Sequence, residues 1–183
     1  MKTITISDII NKYERQNFIK SNFHKNGLDV IVEYPAIFRS AKVLRDFIVD
    51  IADFFHFKNT WKSRLTIIAD ELNNNSIEYW SIESDINKMV IRTIIKWDKV
   101  QLILEVIDSW NWKESKTAEE MNIIKENRLS KWFNKHKSIR WRWLFMIITK
   151  LVDELYFKDS ESGWLIVWIK KDIDIERKKI ETS

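Results

Sequence analysis

The segment NKMVIRTIIKWDKVQLILEVID, residues 87 to 108, consists of two apolar runs separated by Trp97 and Asp98. Short runs rich in isoleucine, valine and threonine are typical of β-strands, and a two-residue separation predicts an antiparallel hairpin. Gly-Asp is a favoured hairpin turn because its first residue can take a positive φ angle, whereas Trp-Asp is not. The segment therefore predicts two adjacent strands of a sheet, with tryptophan at a turn position where glycine is expected.

Two amphipathic helices and one further strand are predicted before this hairpin. Residues 28 to 34, LDVIVEY, alternate between apolar and polar side chains and predict a strand that ends at Pro35. Apolar residues then recur at helical spacing in two segments, residues 40 to 57 and residues 63 to 79. They are Val43, Phe47, Ile51 and Phe54 in the first segment, and Leu65, Ile68 and Leu72 in the second.

The two ends of the chain are more polar. Residues 1 to 27 are predicted to be an extension with a short helix around Ile6 to Tyr13. A polar stretch from Ser109 to Ile139 precedes a predicted helix from Leu144 to Leu155, and LYF and WLIVWIKK around SESGW predict a closing hairpin. Residues 173 to 183 are expected to form a charged tail.

Composition excludes several classes of protein. A chain of 183 residues with 45% hydrophobic content can bury the core of one domain. The net charge of +4 is too small to indicate a nucleic-acid partner, and cysteine is absent, which excludes disulfides and thiolate metal sites. No apolar run approaches the roughly 20 residues that span a bilayer. We expect a soluble, cytoplasmic protein that binds neither membrane nor nucleic acid directly.

Glycine is scarce and tryptophan abundant. The chain has 2 glycines, 1 proline and 10 tryptophans, whereas an average chain of this length carries about 13 glycines. Many of the tryptophans fall at predicted turns, and Trp80 follows a predicted helix at a position where a left-handed glycine is common. The turn positions are Trp80, Trp97, Trp110, Trp112, Trp141, Trp143 and Trp164.

The segment IRWRWL, which includes Arg140 to Trp143, has two interpretations. Alternating arginine and tryptophan is typical of a surface that stacks on nucleic-acid bases or lies at a membrane interface. Alternatively, both tryptophans stand at glycine positions in a loop that precedes a helix, which is a common place for a phosphate-binding loop.

With glycine at the tryptophan positions, three motifs follow in order. ADELNNNSIEYW keeps Glu71 and Asn75, VIDSWNWKE reads Asp-Ser-Gly-Asn-Gly from Asp108 onward, and IRWRWL reads Gly-Arg-Gly-Leu. In this order and spacing they resemble the GHKL ATP-binding domain, or Bergerat fold, shared by gyrase and sensor histidine kinases. The bacterial anti-sigma factor serine/threonine kinases are the most similar branch, and the resemblance covers about residues 28 to 172.

The resemblance implies an α/β (α+β) two-layer sandwich, with a mixed, mostly antiparallel sheet covered on one face by about three helices. It also implies ATP and Mg²⁺ as cofactors. In the resembled family, residues equivalent to Asn75, Glu71 and Asp108 bind magnesium, act as general base and accept from the adenine amino group. The ATP-binding positions carried over from the other two motifs are Trp110, Trp112, Trp141, Arg142, Trp143 and Leu144.

Residues 113 to 139 resemble the mobile ATP lid of this family. Five of its basic residues are expected to neutralise phosphate charge: Lys125, Arg128, Lys131, Lys135 and Lys137. By resemblance, the partners are a sigma factor and a STAS-type antagonist protein, and a homodimer is a further expectation.

Each motif also has an ordinary interpretation. Glu71 and Asn75, four residues apart, suit a solvated helix face, Asp108 suits a turn, and the lid lysines suit a solvated surface. A stand-alone histidine-kinase-like ATPase domain and a nucleotide-gated or inactive binding module remain open as alternatives. His24, His56 and His136 are scattered, which argues against a histidine metal centre.

The tryptophans have a common explanation in the genetic code. Some bacterial lineages read UGA as glycine, and translating such a gene with UGA as tryptophan would place tryptophan at glycine positions throughout the chain. Indoles at positions 110, 112, 141 and 143 would otherwise fill the expected nucleotide pocket. We refer to this as the glycine interpretation, and the codons at the ten positions test it.

Overall fold

A computed structural model describes residues 1–108, 117–130, 150–160 and 165–175. Its sheet has six strands in the order β1-β2-β3-β4-β6-β5. β1 and β2 are parallel, and every other neighbouring pair is antiparallel. The strands are β1 (Lys2–Thr5), β2 (Asp29–Pro35), β3 (Ile86–Ile95), β4 (Lys99–Ile107), β5 (Glu154–Asp159) and β6 (Leu165–Asp174).

Four named α-helices accompany the sheet in the described ranges: α1 (Lys12–Asn22), α2 (Phe38–Phe54), α3 (Asn59–Asn75) and α4 (Ala118–Ser130). A short 3₁₀ helix (Ile6–Ile9) precedes α1, and a π-helical turn (Ser76–Trp80) directly continues α3. The buried residues of α2 and α3 share one apolar core with the inward side chains of the strands. The architecture is therefore α+β with a mixed, open sheet, compatible with the expected two-layer sandwich.

The two predicted central helices are confirmed. Phe47 and Ile51 of α2 and all three stripe residues of α3 are buried, while Val43 and Phe54 are partly buried against the same core. An apolar stripe at helical spacing packs on the sheet because residues three and four apart share one helix face. The stripe residues of α3 are Leu65, Ile68 and Leu72.

The hairpin between β3 and β4 is also confirmed. Ile95 pairs with Val100, and the Lys96 amide donates to the Lys99 carbonyl at 2.8 Å. The expectation of a left-handed backbone at Trp97 is wrong. In the described ranges, His56 is the one non-glycine residue with a positive φ. Trp97 instead lies 81% exposed in a turn with negative φ.

The same correction applies to Trp80, which was expected at a left-handed helix cap. Its backbone belongs to the π turn, and the following Ser81 is extended with φ −128° and ψ 156°. The helix therefore ends by passing through a wider turn into an extended residue, so neither step requires a positive φ.

Two other tryptophans lie inside regular structure. Trp61, in the first turn of α3, is partly buried against the core. The Arg64 guanidinium and the Lys171 ammonium lie 4.8 Å and 5.0 Å from its ring centroid, distances typical of cation–π contacts. Trp168 in β6 lies 4.5 Å from the Tyr156 ring. Both indoles therefore make contacts that glycine could not make.

Gly27 occupies a position that requires glycine. Its φ is +127°, and a Cβ there would lie 2.0 Å from the Thr93 carbonyl oxygen. This close approach brings the chain into β2, where the Leu28 amide donates to Thr93 Oγ1 at 2.8 Å. Any side chain would therefore push β2 away from β3.

The first 27 residues, expected to be a polar extension, contribute a strand and core side chains. β1 pairs with β2, and Ile4, Ile9 and Ile19 are buried. The predicted helix around residues 6 to 13 is instead a 3₁₀ helix followed by α1. The break occurs because Asn11 caps α1, its side chain accepting from the Glu14 amide at 2.9 Å.

The C-terminal part departs from prediction in two places. Lys150 and Leu151 are helical, but Glu154 and Leu155 belong to β5, so the predicted helix does not reach Leu155. Leu155 and Phe157 are buried on alternate positions and pair with β6, and this sheet pairing overrides the helical spacing. The predicted β5–β6 pairing is confirmed, whereas its connecting residues 161–164 lie outside the described ranges.

Candidate functional site

Glu71 and Asn75 lie one turn apart at the end of α3. Asn75 is 3% exposed and Glu71 is half-buried. The Asn75 side-chain Nδ2 donates to the Glu71 carbonyl oxygen at 2.5 Å. This bond uses the donor group of the amide and leaves Oδ1, the acceptor atom, as the end of the side chain that suits a hard cation.

Asp108 lies immediately after β4 and is 1% exposed. The strand pairing ends at Ile107, opposite Ile166, and the Asp108 amide is 3.5 Å from the Leu165 carbonyl oxygen. The sheet therefore places this carboxyl group in a buried position at the end of a central strand. Burial distinguishes it from an ordinary turn aspartate, which is usually solvated.

A buried tyrosine connects β2 to the end of α3. The Tyr34 hydroxyl donates to Asn73 Oδ1 at 2.8 Å, and Asn73 Nδ2 donates to the Ala69 carbonyl oxygen at 2.8 Å. Tyr34 and Asn73 are both 0% exposed. Two fully buried polar side chains thus satisfy each other and fix the last turn of α3 over β2.

A second polar side chain reaches the same helix end from β3. Asn87 pairs with Tyr34 in the sheet register, so both side chains rise from adjacent positions on the helix-covered face. Asn87 Nδ2 donates to Ser76 Oγ at 2.7 Å, and Ser81 Oγ donates to Asn87 Oδ1 at 2.9 Å. We call Tyr34, Asn73, Ser76, Ser81 and Asn87 the buried polar network.

Asp108 acts electrostatically on this network. Burial raises the pKa of Tyr34 above its ordinary range, hydrogen bonds with Ser76 and Asn87 partly offset that rise, and the Asp108 charge adds to it. Tyr34 is therefore a neutral hydrogen-bond donor near neutral pH. The buried polar network thus lies against the end of α3, next to Asn75, and close enough to Asp108 at the end of β4 for the charge of Asp108 to act on Tyr34.

Six predicted site residues fall outside the described ranges, and the arrangement above does not include them: Trp110, Trp112, Trp141, Arg142, Trp143 and Leu144. The same holds for Lys131, Lys135 and Lys137 of the expected lid, and for the Arg128 side chain. The described parts of the predicted site are thus Glu71, Asn75 and Asp108.

Lys125, expected to face phosphate, contacts the edge of the sheet. Its ammonium donates to the Leu155 carbonyl oxygen at 2.8 Å. On the preceding turn of α4, Asn122 Nδ2 donates to the Phe157 carbonyl oxygen at 3.1 Å, and the Phe157 amide is 3.5 Å from Asn122 Oδ1. α4 therefore lies along the outer edge of β5 and meets its backbone groups with side chains.

Sequence reasoning missed Tyr34, Asn73 and Asn87. A signal was present in the strands, since Tyr34 continues the buried alternation of Val30 and Val32, and Asn87 precedes buried Met89 by two residues. A polar side chain at an inward position of a strand must find a partner. The alternation thus indicates a buried hydrogen bond without identifying its partner.

An open cleft of about 360 Å³ lies between α1 and the end of α2, with none of the predicted site residues in its lining.

No protein-family model matches this chain, and no curated protein matches it. Within the described part of the chain, no helix has both the length and the apolar character that crossing a membrane requires.

Proposed function

We propose that the chain is a Mg-ATP-dependent serine/threonine protein kinase of the GHKL, anti-sigma factor type, built on a Bergerat fold. The observation that supports this proposal is that Asn75 and Asp108 are both buried, one at the end of α3 and one at the end of β4, with Glu71 one helical turn before Asn75. The resemblance predicts these residues from separate motifs, and the Asp108 charge acts on Tyr34, whose hydroxyl bonds to Asn73 in the last turn of α3.

Asp108 suits recognition of an adenine amino group. A carboxylate at the floor of a site accepts hydrogen bonds and donates none when ionised, so it favours an amino group over a carbonyl oxygen. Because Asp108 is 1% exposed, a bond to it would form away from water, where polar discrimination is strongest. Asp108 is therefore the residue we assign to nucleotide selectivity.

Asn75 suits a magnesium–triphosphate complex. Mg²⁺ prefers oxygen ligands, keeps several waters and is commonly held by one or two protein groups together with phosphates. Asn75 Oδ1 would supply one such oxygen, while Nδ2 of the same amide is held by the Glu71 carbonyl. When bound, the metal neutralises charge on the phosphates.

Glu71 is the assigned general base. It lies one helical turn before Asn75 and is half-buried, so its carboxylate is on the same side of α3. Taking the proton from a serine hydroxyl would make that oxygen a better nucleophile toward phosphorus. The new charge on the phosphorylated partner would then change which protein the kinase holds, which is the logic of partner switching.

Isothermal titration with ATP and Mg²⁺ tests the proposal on two chains: the printed sequence, and one with glycine at all ten tryptophan positions. We expect the glycine chain to bind at micromolar concentration, with Asp108→Asn weakening ATP at least tenfold and the hairpin control Asp98→Asn leaving it unchanged. Asn75→Ala should remove the magnesium-dependent part of the affinity. Absence of ATP binding by both folded parent chains would overturn the proposal.

A further inference from the structure

The π turn at Ser76–Trp80 directly follows Asn75. π-helical turns are rare, and they often occur at functional sites, because one extra residue per turn leaves a geometry that the local backbone alone does not favour. Such a turn persists when contacts from elsewhere in the fold hold it. The contacts at its two ends are therefore informative.

Both ends of this turn are bonded to the same side chain. Ser76 is the first residue of the π turn and Ser81 is the first residue after it. Asn87 Nδ2 donates to Ser76 Oγ at 2.7 Å, and its Oδ1 accepts from Ser81 Oγ at 2.9 Å. One amide thus spans the turn from beginning to end, using its donor at one end and its acceptor at the other.

Burial makes this arrangement demanding. Ser76 and Asn87 are 0% exposed and Ser81 is 1% exposed, so water cannot replace a lost bond. Leaving one such group unsatisfied costs more than the bond itself contributes. The sheet also holds the position of Asn87. Asn87 pairs with Tyr34 in the register of β2 and β3, and the Tyr34 hydroxyl bonds to Asn73 just before the turn.

We propose that Asn87 is a positioning residue for the nucleotide site. By holding Ser76 and Ser81 together it keeps the π turn closed, and so fixes the backbone that follows Asn75 and the direction of its Oδ1. This inference rests on the proposed function for its link to magnesium, whereas the closure of the turn stands on geometry alone.

The test uses two mild variants, Ser76→Ala and Ser81→Ala, each of which removes one bond to Asn87. The matched control is Ser40→Ala, since Ser40 is also buried, at 3% exposed, and its hydroxyl donates to the Pro35 carbonyl oxygen at 2.8 Å. The full chain with its tryptophans, in which the turn is observed, is the parent for hydrogen exchange, and the chain with glycine at the ten tryptophan positions is a second parent for nucleotide binding. Measurements are made well below the unfolding temperature of every variant.

The first readout is hydrogen exchange, which needs no nucleotide. We expect the amides of residues 76–81 to lose at least tenfold protection in both variants, beyond any change in residues 65–72 of α3, and no such local loss in Ser40→Ala. Equal protection in parent and variants would show that Asn87 does not hold the turn closed.

The second readout is the ratio of the ATP dissociation constant in EDTA to that in Mg²⁺. Both variants should lower this ratio at least fivefold while the EDTA value, which reports adenine contacts, stays within threefold of the parent. A purely structural role would leave the ratio unchanged, and that result would overturn the positioning role. If the parent binds no ATP, the proposed function and its link to magnesium fail, while hydrogen exchange still decides whether Asn87 holds the turn.

Discussion

Arg15 of α1 and Asp50 of α2 form a buried ion pair, with Nε donating to Oδ2 at 2.5 Å. Their side chains are 9% and 5% exposed. A second arginine nitrogen donates to the Ile10 carbonyl oxygen at 2.9 Å, so the guanidinium also fixes the entry to α1. This pair connects the first 22 residues to the central helices.

Asp50→Ala should lower the free energy of unfolding by about 3–5 kcal/mol, because it leaves the Arg15 charge buried and unpaired. Asp53→Ala is the control on the same helix. Its ion pair with Lys62 is more exposed, and its loss should cost less than about 1 kcal/mol. Urea denaturation measures both, and equal losses would contradict a special role for the buried pair.

His56 ends α2 in left-handed geometry, with φ 54°. The His56 amide donates to Asp53 and the Phe57 amide to Ala52, the two bonds of a Schellman cap. His56→Gly should be about 1–2 kcal/mol more stable than His56→Ala, because both lose the imidazole but only alanine keeps the strained Cβ. Thermal unfolding of both variants checks this, and equal stability would show that the backbone carries no strain.

Glu71→Gln should preserve ATP affinity and reduce phosphate transfer to a partner serine by roughly a hundredfold to ten-thousandfold, because it removes the base but keeps the size. Glu105→Gln is the control; Glu105 is a half-buried carboxyl that lies between buried Leu104 and Val106 in β4. Radiolabelled transfer to a co-encoded antagonist protein, at equal nucleotide occupancy, measures the effect. Unchanged transfer by Glu71→Gln would remove Glu71 from catalysis.

Replacing single tryptophans by glycine shows which of them stabilise the fold. Trp61→Gly should cost about 2–4 kcal/mol, because it deletes a partly buried ring and places glycine in a helix. Trp97→Gly should change stability by less than about 0.5 kcal/mol, because the side chain is 81% exposed. Chemical denaturation compares them. A stability gain from Trp61→Gly would favour the glycine interpretation over the contacts seen here.

Asp172 should contribute to acid sensitivity. Burial alone would raise its pKa, but hydrogen bonds from Lys96 and Gln101 outweigh burial and lower it. A carboxyl whose pKa is lower in the folded state stabilises the fold above its unfolded value of about 3.9, and the contribution is lost as pH falls through the folded value. Asp172→Asn should therefore flatten the loss of unfolding free energy below about pH 4, and urea denaturation of parent and variant at several pH values measures this. Parallel stability–pH curves for the two proteins would contradict it.

The central helices and strands could be predicted because each carries its own periodic signal. Phe47 and Ile51 recur at helical spacing, and the strands flanking Trp97 are continuous apolar runs. β1 and α1 gave a weak signal, since Ile4, Ile9 and Ile19 are isolated among polar residues. Their burial depends on β2 and α2, which are distant in sequence.

The site residues likewise divide into those that local spacing predicts and those that only the fold brings together. Glu71 and Asn75 are recognisable because their spacing is local to one helix. Tyr34 and Asn87 are far apart in the sequence and come together only through the register of β2 and β3. Leu155 shows the converse, since it fits a helical stripe yet joins β5, because pairing with β6 satisfies its backbone and buries its side chain.

The contact of Asn122 with Phe157 has a consequence for how the protein behaves at high concentration. A side-chain amide carries the same donor and acceptor as a peptide group, so Asn122 takes the place that a neighbouring strand would take on the outer edge of β5. Together with Lys125 it blocks that edge against strand addition by another molecule. The opposite edge strand, β1, is four residues long, and a very short edge strand offers few backbone groups for pairing with another chain. Both edges of the sheet are thus protected against growth into fibrils, the β5 edge by α4 and the β1 edge by the short length of its strand.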